Sequence, residues 1–215
     1  MIIAIDGSAA SGKGTLAKRV AAEFGYDYLD TGALYRAVAL SLLNAGAKSS
    51  NINEKQAVNA TSTLDLSLTQ TAEIRTDKVA ALASIVAPIG PVRAELLSLQ
   101  RAFAAAPPSG RGAVLDGRDI GTIVLPDANL KFFIDADLDI RAERRTKELL
   151  QAEQSVMYRD VLADMRVRDD RDRTRSVAPL KAADDAITIA TSKMDAAAVL
   201  ALALSHIDRV CSTEQ

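Results

Sequence analysis

Gly7, Gly12 and Lys13 stand in "GSAASGKGT" (residues 7–15) with four residues between the two glycines, the spacing of a loop that cradles phosphate. Glycines let the backbone curl until successive N–H groups point into one concavity. A helix beginning at the Lys adds positive potential there, and the Lys side chain reaches the outer phosphates. The usual pattern places Ser or Thr directly after the Lys as a magnesium ligand, but here Gly14 follows and Thr15 comes one place late. Magnesium would then rest more on phosphate oxygens, water and a carboxylate elsewhere. Gly7, Ser8, Ala9, Ala10, Ser11, Gly12, Lys13, Gly14 and Thr15 together form the candidate site for a nucleoside triphosphate.

Three further stretches carry groups suited to phosphate chemistry. In "LDTGALYRA" (29–37) a helix starting at Thr31 puts Tyr35 and Arg36 on its first turns, although an N-cap Thr with an exposed Arg explains the same residues. In "LDGRDIGT" (115–122) Asp116, Arg118 and Asp119 follow a buried strand, and ligands of open parallel sheets bind at strand C-termini. "RVRDDRDRTR" (166–175) holds five Arg and three Asp. Arg168, Asp172 and Arg175 stand there at i, i+4 and i+7, so a helix would set them on one face with Arg171. A solvated, self-paired surface is the plain reading of such a run. The functional one is a clamp of guanidinium groups on a transferring phosphoryl group, with the interspersed Asp keeping the arginines from repelling one another.

These groups need a scaffold. "MIIAID" reads as a buried strand, and Leu16, Ala17, Val20, Ala21 and Phe24 follow helical spacing up to Gly25. A second helix is expected from Thr31 to Gly46. The block from 47 to 75 is polar, and the alternation in "LDLSL" suggests small strands. Helices are expected at "DKVAALASIVA", "PVRAELLSLQRAFAAA", "DLDIRAERRTKELLQAE", "MYRDVLADMRVRDDRDRTR" and "MDAAAVLALALSHIDRV", and strands at "AVLDGRD", "LKFFID" and "AITIAT". Strands alternating with helices imply an α/β fold with a parallel sheet covered on both faces. Residues 47–105 look inserted, as a small substrate-binding lobe.

Bulk properties narrow the classes. The chain has 215 residues, 48% apolar and 25% charged, which suffices for one hydrophobic core in a single unit. A net charge of −2 and the absence of Trp argue against a nucleic-acid-binding surface. One Cys (Cys211) and one His (His206) leave no intrachain disulfide and no multi-His or Cys-rich metal site. His206 reads as structural or exposed, and residues 211–215 as a disordered tail. No basic leader or long apolar segment precedes the first strand, so a cytoplasmic protein without a membrane partner is expected.

The variant "GKGT" is similar to the phosphate loop of nucleoside monophosphate kinases. Together with "IDGSAASGKGT", "LDTGALYR", the spacing of Ser84 to Arg93 in "SIVAPIGPVR", "DGRDIGT" and "RDDRDRTRSVAPL", it makes nearly the whole chain resemble the bacterial cytidylate kinases. The resemblance implies a P-loop kinase core with a five-stranded parallel sheet flanked by helices (about 1–46 and 106–215). It also implies an inserted CMP-binding lobe (about 47–105) and a short arginine-rich lid (about 150–178). The activity it implies is phosphoryl transfer from ATP, with magnesium, to CMP or dCMP.

By the same resemblance, Ser84, Arg93 and Asp119 match positions that read the cytosine edge. Arg36, Arg118 and Arg175 match those that grip the acceptor phosphate, with Thr31 and Tyr35 nearby, and Arg168 and Asp172 match contacts to the ribose. Lys13, Arg118, Arg168 and Arg175 are the implied catalytic cations, and Asp116 the implied holder of magnesium through water. Thr31 stands where many members have Ser, keeping the hydroxyl and adding a methyl group. A monomer is expected. Two rivals remain at this point: another monophosphate kinase, and a nucleotide-binding switch or nucleic-acid-dependent ATPase that uses the arginine segment as its contact.

Overall fold

The structure, a computed structural model, describes residues 1–47, 51–151 and 154–213. Positions 48–50 of the polar block, 152 and 153 of the expected lid and 214–215 of the tail lie outside the described residues.

Five parallel strands form one sheet: β1 (Ile2–Gly7), β2 (Asp27–Asp30), β3 (Ala113–Gly117), β4 (Leu130–Asp135) and β5 (Ile187–Ala190), in the order β2-β3-β1-β4-β5. The central strand β1 pairs Ile5 with both Asp116 and Phe132. Its Ile3, Ala4 and Ile5 are wholly buried, as an apolar run between two covering layers must be. The helices are α1 (Lys13–Phe24), α2 (Thr31–Asn44), α3 (Glu54–Ser62), α4 (Asp77–Val86), α5 (Gly90–Ala105), α6 (Leu138–Gln151), α7 (Tyr158–Thr174) and α8 (Ala196–Thr213). One apolar cluster joins β1, β4 and β5 to α1 and α8 through Leu16, Val20, Phe132, Ile189 and Ile207. His206 belongs to this layer, edge-on to Phe132 with ring centroids 6.3 Å apart.

A separate cluster packs α2 against α3, α4 and α5 through Leu34, Val38, Ile74, Leu82, Val86 and Leu96. The chain between α3 and α4 corrects the expectation of small strands at "LDLSL": Leu66–Gln70 is a 3-10 turn, followed by another over Ala72–Arg75. Asp65 caps the first by accepting from Ser67 N–H at 2.9 Å, so a local side-chain bond decides the geometry.

Three boundaries also differ from expectation. Strand β2, four half-buried residues, has no run of its own to announce it and forms by pairing with β3. Helix α2 is capped by Asp30, whose Oδ1 accepts from Ala33 N–H at 3.0 Å, and not by Thr31. It ends at Asn44, with Gly46 in the following turn at φ 80°. Helix α8 continues through Cys211 to Thr213, past the expected start of the tail.

Candidate active site

The phosphate loop leaves β1 and enters α1, which places it at the C-terminal ends of β1 and β3. Gly7 has φ 154°, and a Cβ there would lie 2.1 Å from the Ile134 carbonyl oxygen. Only glycine lets β1 turn so close to β4. Gly12 caps α1 at φ 93°, and Ala10 holds a left-handed φ of 57°. Ser8 and Ser11 are buried, and their Oγ atoms are among the buried polar atoms without a hydrogen-bond partner. Thr15 is exposed and lines the mouth of the cavity below.

A cavity of about 520 Å³ opens beneath this loop, lined by Ala9, Ala10, Gly12, Lys13, Gly14 and Thr15, by Arg36 of α2, by Ser84 of α4, by Asp116 and Arg118 after β3, and by Arg168 and Arg171 of α7. Eight cationic and five acidic side chains line it among the described residues, although the chain as a whole is acidic. Such a wall concentrates positive potential where a polyanion would sit. Burial and the nearby Arg118 lower Lys13 to about 8, while Asp116, whose Oδ2 lies 4.0 Å from Nζ, pulls the other way. Burial raises Asp116, which Lys13 and a hydrogen bond from Tyr28 Oη at 2.9 Å partly offset. Arg168 is lowered to about 10 by burial and by Arg118, and its Nε has no hydrogen-bond partner.

The other candidates form a second, buried layer beside the cavity. Arg93 Nη2 donates to Asp119 Oδ2, and Arg175 Nη2 lies 3.7 Å from Asp119 Oδ1. Arg93 also lies over the Tyr35 ring, 5.9 Å from its centroid. Arg118 Nε donates to Asp172 Oδ2 at 3.0 Å, which joins the two layers. Asp172 is lowered because Arg118 and Arg168 outweigh its burial. Tyr35, Arg93, Asp119, Asp172 and Arg175 are not in the lining of the cavity.

Two expectations about single residues change. The predicted face of Arg168, Asp172 and Arg175 is broken, because α7 stops at Thr174 and Arg175 turns back to donate from Nε to the Ala178 carbonyl at 2.6 Å. Thr31 is buried and spends its hydroxyl proton on the Asp116 carbonyl at 2.8 Å, a brace between α2 and β3. Asp172 offsets Arg168 and Arg175 of its own run, and the interspersed Asp also reach other elements: Asp172 holds Arg118, and Asp169 accepts from Arg141 Nη2 at 2.5 Å. Ser84 accepts from Arg171 Nη1, so α7 rests on α4 at that point.

Several residues went unnoticed in the sequence. Asp30 holds Arg36 at 2.6 Å. Thr191 donates to the Ser11 carbonyl at 3.0 Å, and its own carbonyl accepts from Arg144 Nη2 at 2.7 Å. Arg141 lies inside the apolar stripe of Leu138, Ala142 and Leu149 at helical spacing, and that position was the available signal.

Asp6 was likewise missed. It accepts from Ile120 N–H at 2.8 Å and Gly121 N–H at 2.7 Å, holding the turn that carries Arg118 and Asp119 against β1. Burial pushes its carboxyl up to about 7 in spite of those two bonds. The unfolded chain releases that proton near the ordinary value of about 3.9. Between the two values the fold binds the extra proton, so stability falls as pH rises through that window. Relative to Asp6→Asn, the wild-type chain is expected to lose roughly 3 kcal/mol between pH 4.5 and 7.5. Urea unfolding of both proteins across that range measures it, and a constant difference would refute the assignment.

The cytidylate kinase family model matches residues 3–209. The chain is 53% identical to a cytidylate kinase of Paramagnetospirillum magneticum over 207 residues, covering 96% of this chain and 97% of that one. It is 50% identical to one of Xanthobacter autotrophicus, with 97% of each covered, and 48% identical to one of Rhodopseudomonas palustris, with 100% and 99% covered. Among solved structures, an uncharacterized protein from Eubacterium ventriosum aligns with a TM-score of 0.54 and 18% identity, covering 97% of this chain and 98% of that one, a likeness of fold alone.

Proposed function

The chain belongs to the cytidylate kinase family and is an enzyme that phosphorylates CMP and dCMP; from that premise we propose that ATP is its donor and that transfer is direct and in line, with no phosphoenzyme. One observation carries this reading. Lys13, Arg118 and Arg168, from three separate elements, converge on a single cavity under the phosphate loop. The phosphate loop and Lys13 hold the ATP phosphates, and Arg36, Arg118 and Arg175 take the acceptor phosphate. Arg168 and Asp172 meet the ribose, and Ser84, Arg93 and Asp119 meet the cytosine edge. Helices α3–α5 act as the acceptor lobe, and α7 with its flanks as the lid.

The acceptor is already a phosphate, largely ionised at neutral pH, so no strong general base is needed. Rate then comes from positioning and from charge neutralisation by cations held out of water. Lid closure keeps water from taking the phosphoryl group. Asp116 fits a role toward magnesium: a carboxylate between the Tyr28 hydroxyl and Lys13, 3.4 Å from where a Cβ on Gly14 would stand. Among the described residues no three acidic, His or Cys side chains gather around one point, so Asp116 would hold the ion through water with phosphate oxygens completing its shell. When bound, the ion supplies charge neutralisation at the phosphate oxygens.

Among the described residues no single helix is long and apolar enough to cross a membrane. The chain is proposed to act on small molecules as a cytoplasmic monomer; its net charge of −2 argues against a nucleic-acid partner. A coupled assay of ADP release, offering CMP, dCMP, UMP, AMP and GMP separately with ATP and magnesium, tests the reading. CMP and dCMP are expected to exceed the others in kcat/KM by at least about 100-fold. Best turnover with AMP or GMP would overturn the base-reading residues, and ATP hydrolysis indifferent to every monophosphate would overturn the transfer scheme.

A further inference from the structure

One buried side chain joins the phosphate loop to the arginine-rich helix and has no part in the scheme above. Arg141 is 2% exposed. Its Nε donates to the Ala136 carbonyl at 2.8 Å, Nη1 to the Ala9 carbonyl at 3.3 Å, and Nη2 to Asp169 Oδ2 at 2.5 Å. A single planar guanidinium therefore meets the end of β4, the phosphate loop and α7 at once. Ala9 and Ala10 pack on the same wall, against Ala142, Leu149, Val161 and Met165.

The geometry has a consequence for the loop's own donors. A trans peptide sets its C=O and N–H on opposite sides. With the Ala9 carbonyl anchored on Arg141, the following N–H, that of Ala10, is turned the other way. Both residues line the cavity. Ala10 holds φ 57°, which costs an L residue free energy and persists only where neighbours impose it. Asp169 directly follows Arg168 in sequence, so the same ion pair anchors α7 at the turn beside that cavity-lining residue.

We propose that Arg141 is a positioning residue for donor-nucleotide binding: it holds the Ala9 carbonyl outward so that the Ala10 N–H faces the phosphates. This rests on the reading of residues 7–15 as the ATP site. A merely structural brace between α6 and α7 would weaken both substrates alike. A positioning residue acts first on the donor.

Arg141→Lys keeps a cation for Asp169 but loses the fork that reaches Ala9 and Ala136 together. The test is calorimetric titration with a non-hydrolysable ATP analogue and, separately, with CMP, beside steady-state kinetics. The Kd for the analogue is expected to rise at least about tenfold and kcat to fall at least about tenfold, with the Kd for CMP changing less than about twofold. Should that variant not fold cooperatively, Arg141→Met with Asp169→Leu removes both buried charges together and leaves no lone ion in the core. It is expected to show the same donor-selective loss. Equal weakening of both ligands, or of neither, overturns the inference. Lys13→Met titrated alongside separates the two readings. Lost analogue binding there with wild-type binding in Arg141→Lys refutes the inference alone, and undiminished analogue binding in Lys13→Met refutes the ATP site on which it rests.

Discussion

Lys13→Met is expected to lower kcat by a factor of roughly 1000 while the protein stays folded. Lys13 belongs to the loop itself, and Arg118 and Arg168 line the same cavity. With its value lowered only to about 8, it remains mostly protonated at pH 7 and carries its charge to the transferring group. The same lowering is a penalty on the fold. The unfolded chain holds this proton up to about pH 10.4 and the folded chain only to about 8, so at pH 7 the full cost of keeping the buried charge is present, on the order of 3 kcal/mol. Methionine removes that cost but also removes the counter-charge of Asp116, which Tyr28 still holds. Thermal unfolding is thus expected to show a midpoint equal to or above that of the wild-type chain, with activity gone. Near-normal turnover in the coupled assay would sink the role of Lys13, and a collapse in midpoint would mean that Asp116 depends on it for stability.

The phosphate loop around Lys13 was legible from nine residues, because such a loop constrains its backbone through glycines that only one geometry tolerates. Gly7 is required because a Cβ there would collide with the Ile134 carbonyl oxygen, and the spacing to Lys13 follows from the strand-to-helix turn. Long apolar periods were equally readable, as in β1, α1 and α8. Elements stabilised by a partner far along the chain were not. Strand β2 owes its form to β3, more than eighty residues on. The alternation of "LDLSL" imitates a strand where Asp65 instead caps a 3-10 turn. Buried charges were the harder case. Arg141 and Asp6 read as ordinary polar residues until their acceptors and donors, Asp169, Ala9, Ile120 and Gly121, appear beside them. The arginine run shows the same limit. Its composition was plain, but Arg175 leaves the helix, and Asp172 and Asp169 also pair with Arg118 and Arg141 of other elements, partners the run itself does not name.

The second large effect is expected at Asp119. Its carboxylate accepts from Arg93 on one oxygen and faces Arg175 at 3.7 Å on the other, with all three groups nearly closed off from water. Asp119→Asn keeps the shape but leaves Arg93 without its ion-pair partner and Arg175 with Asp172 alone as a counter-charge. Breaking a buried pair in this way costs about 3–5 kcal/mol, which denaturant unfolding at pH 7 would read directly. The consequence for activity is separable. A site that hydrogen-bonds a base edge rejects the wrong base because a mismatch leaves buried groups unpaired, and removing one reader removes that penalty. The kcat/KM for CMP is expected to fall by at least about 100-fold, and the preference for CMP over UMP to shrink by a similar factor. Assays run well below the variant's unfolding midpoint keep the two effects apart. If stability falls and the CMP preference survives, Asp119 serves only to hold Arg93 and Arg175. If the preference collapses with turnover of UMP intact, the carboxylate reads the base.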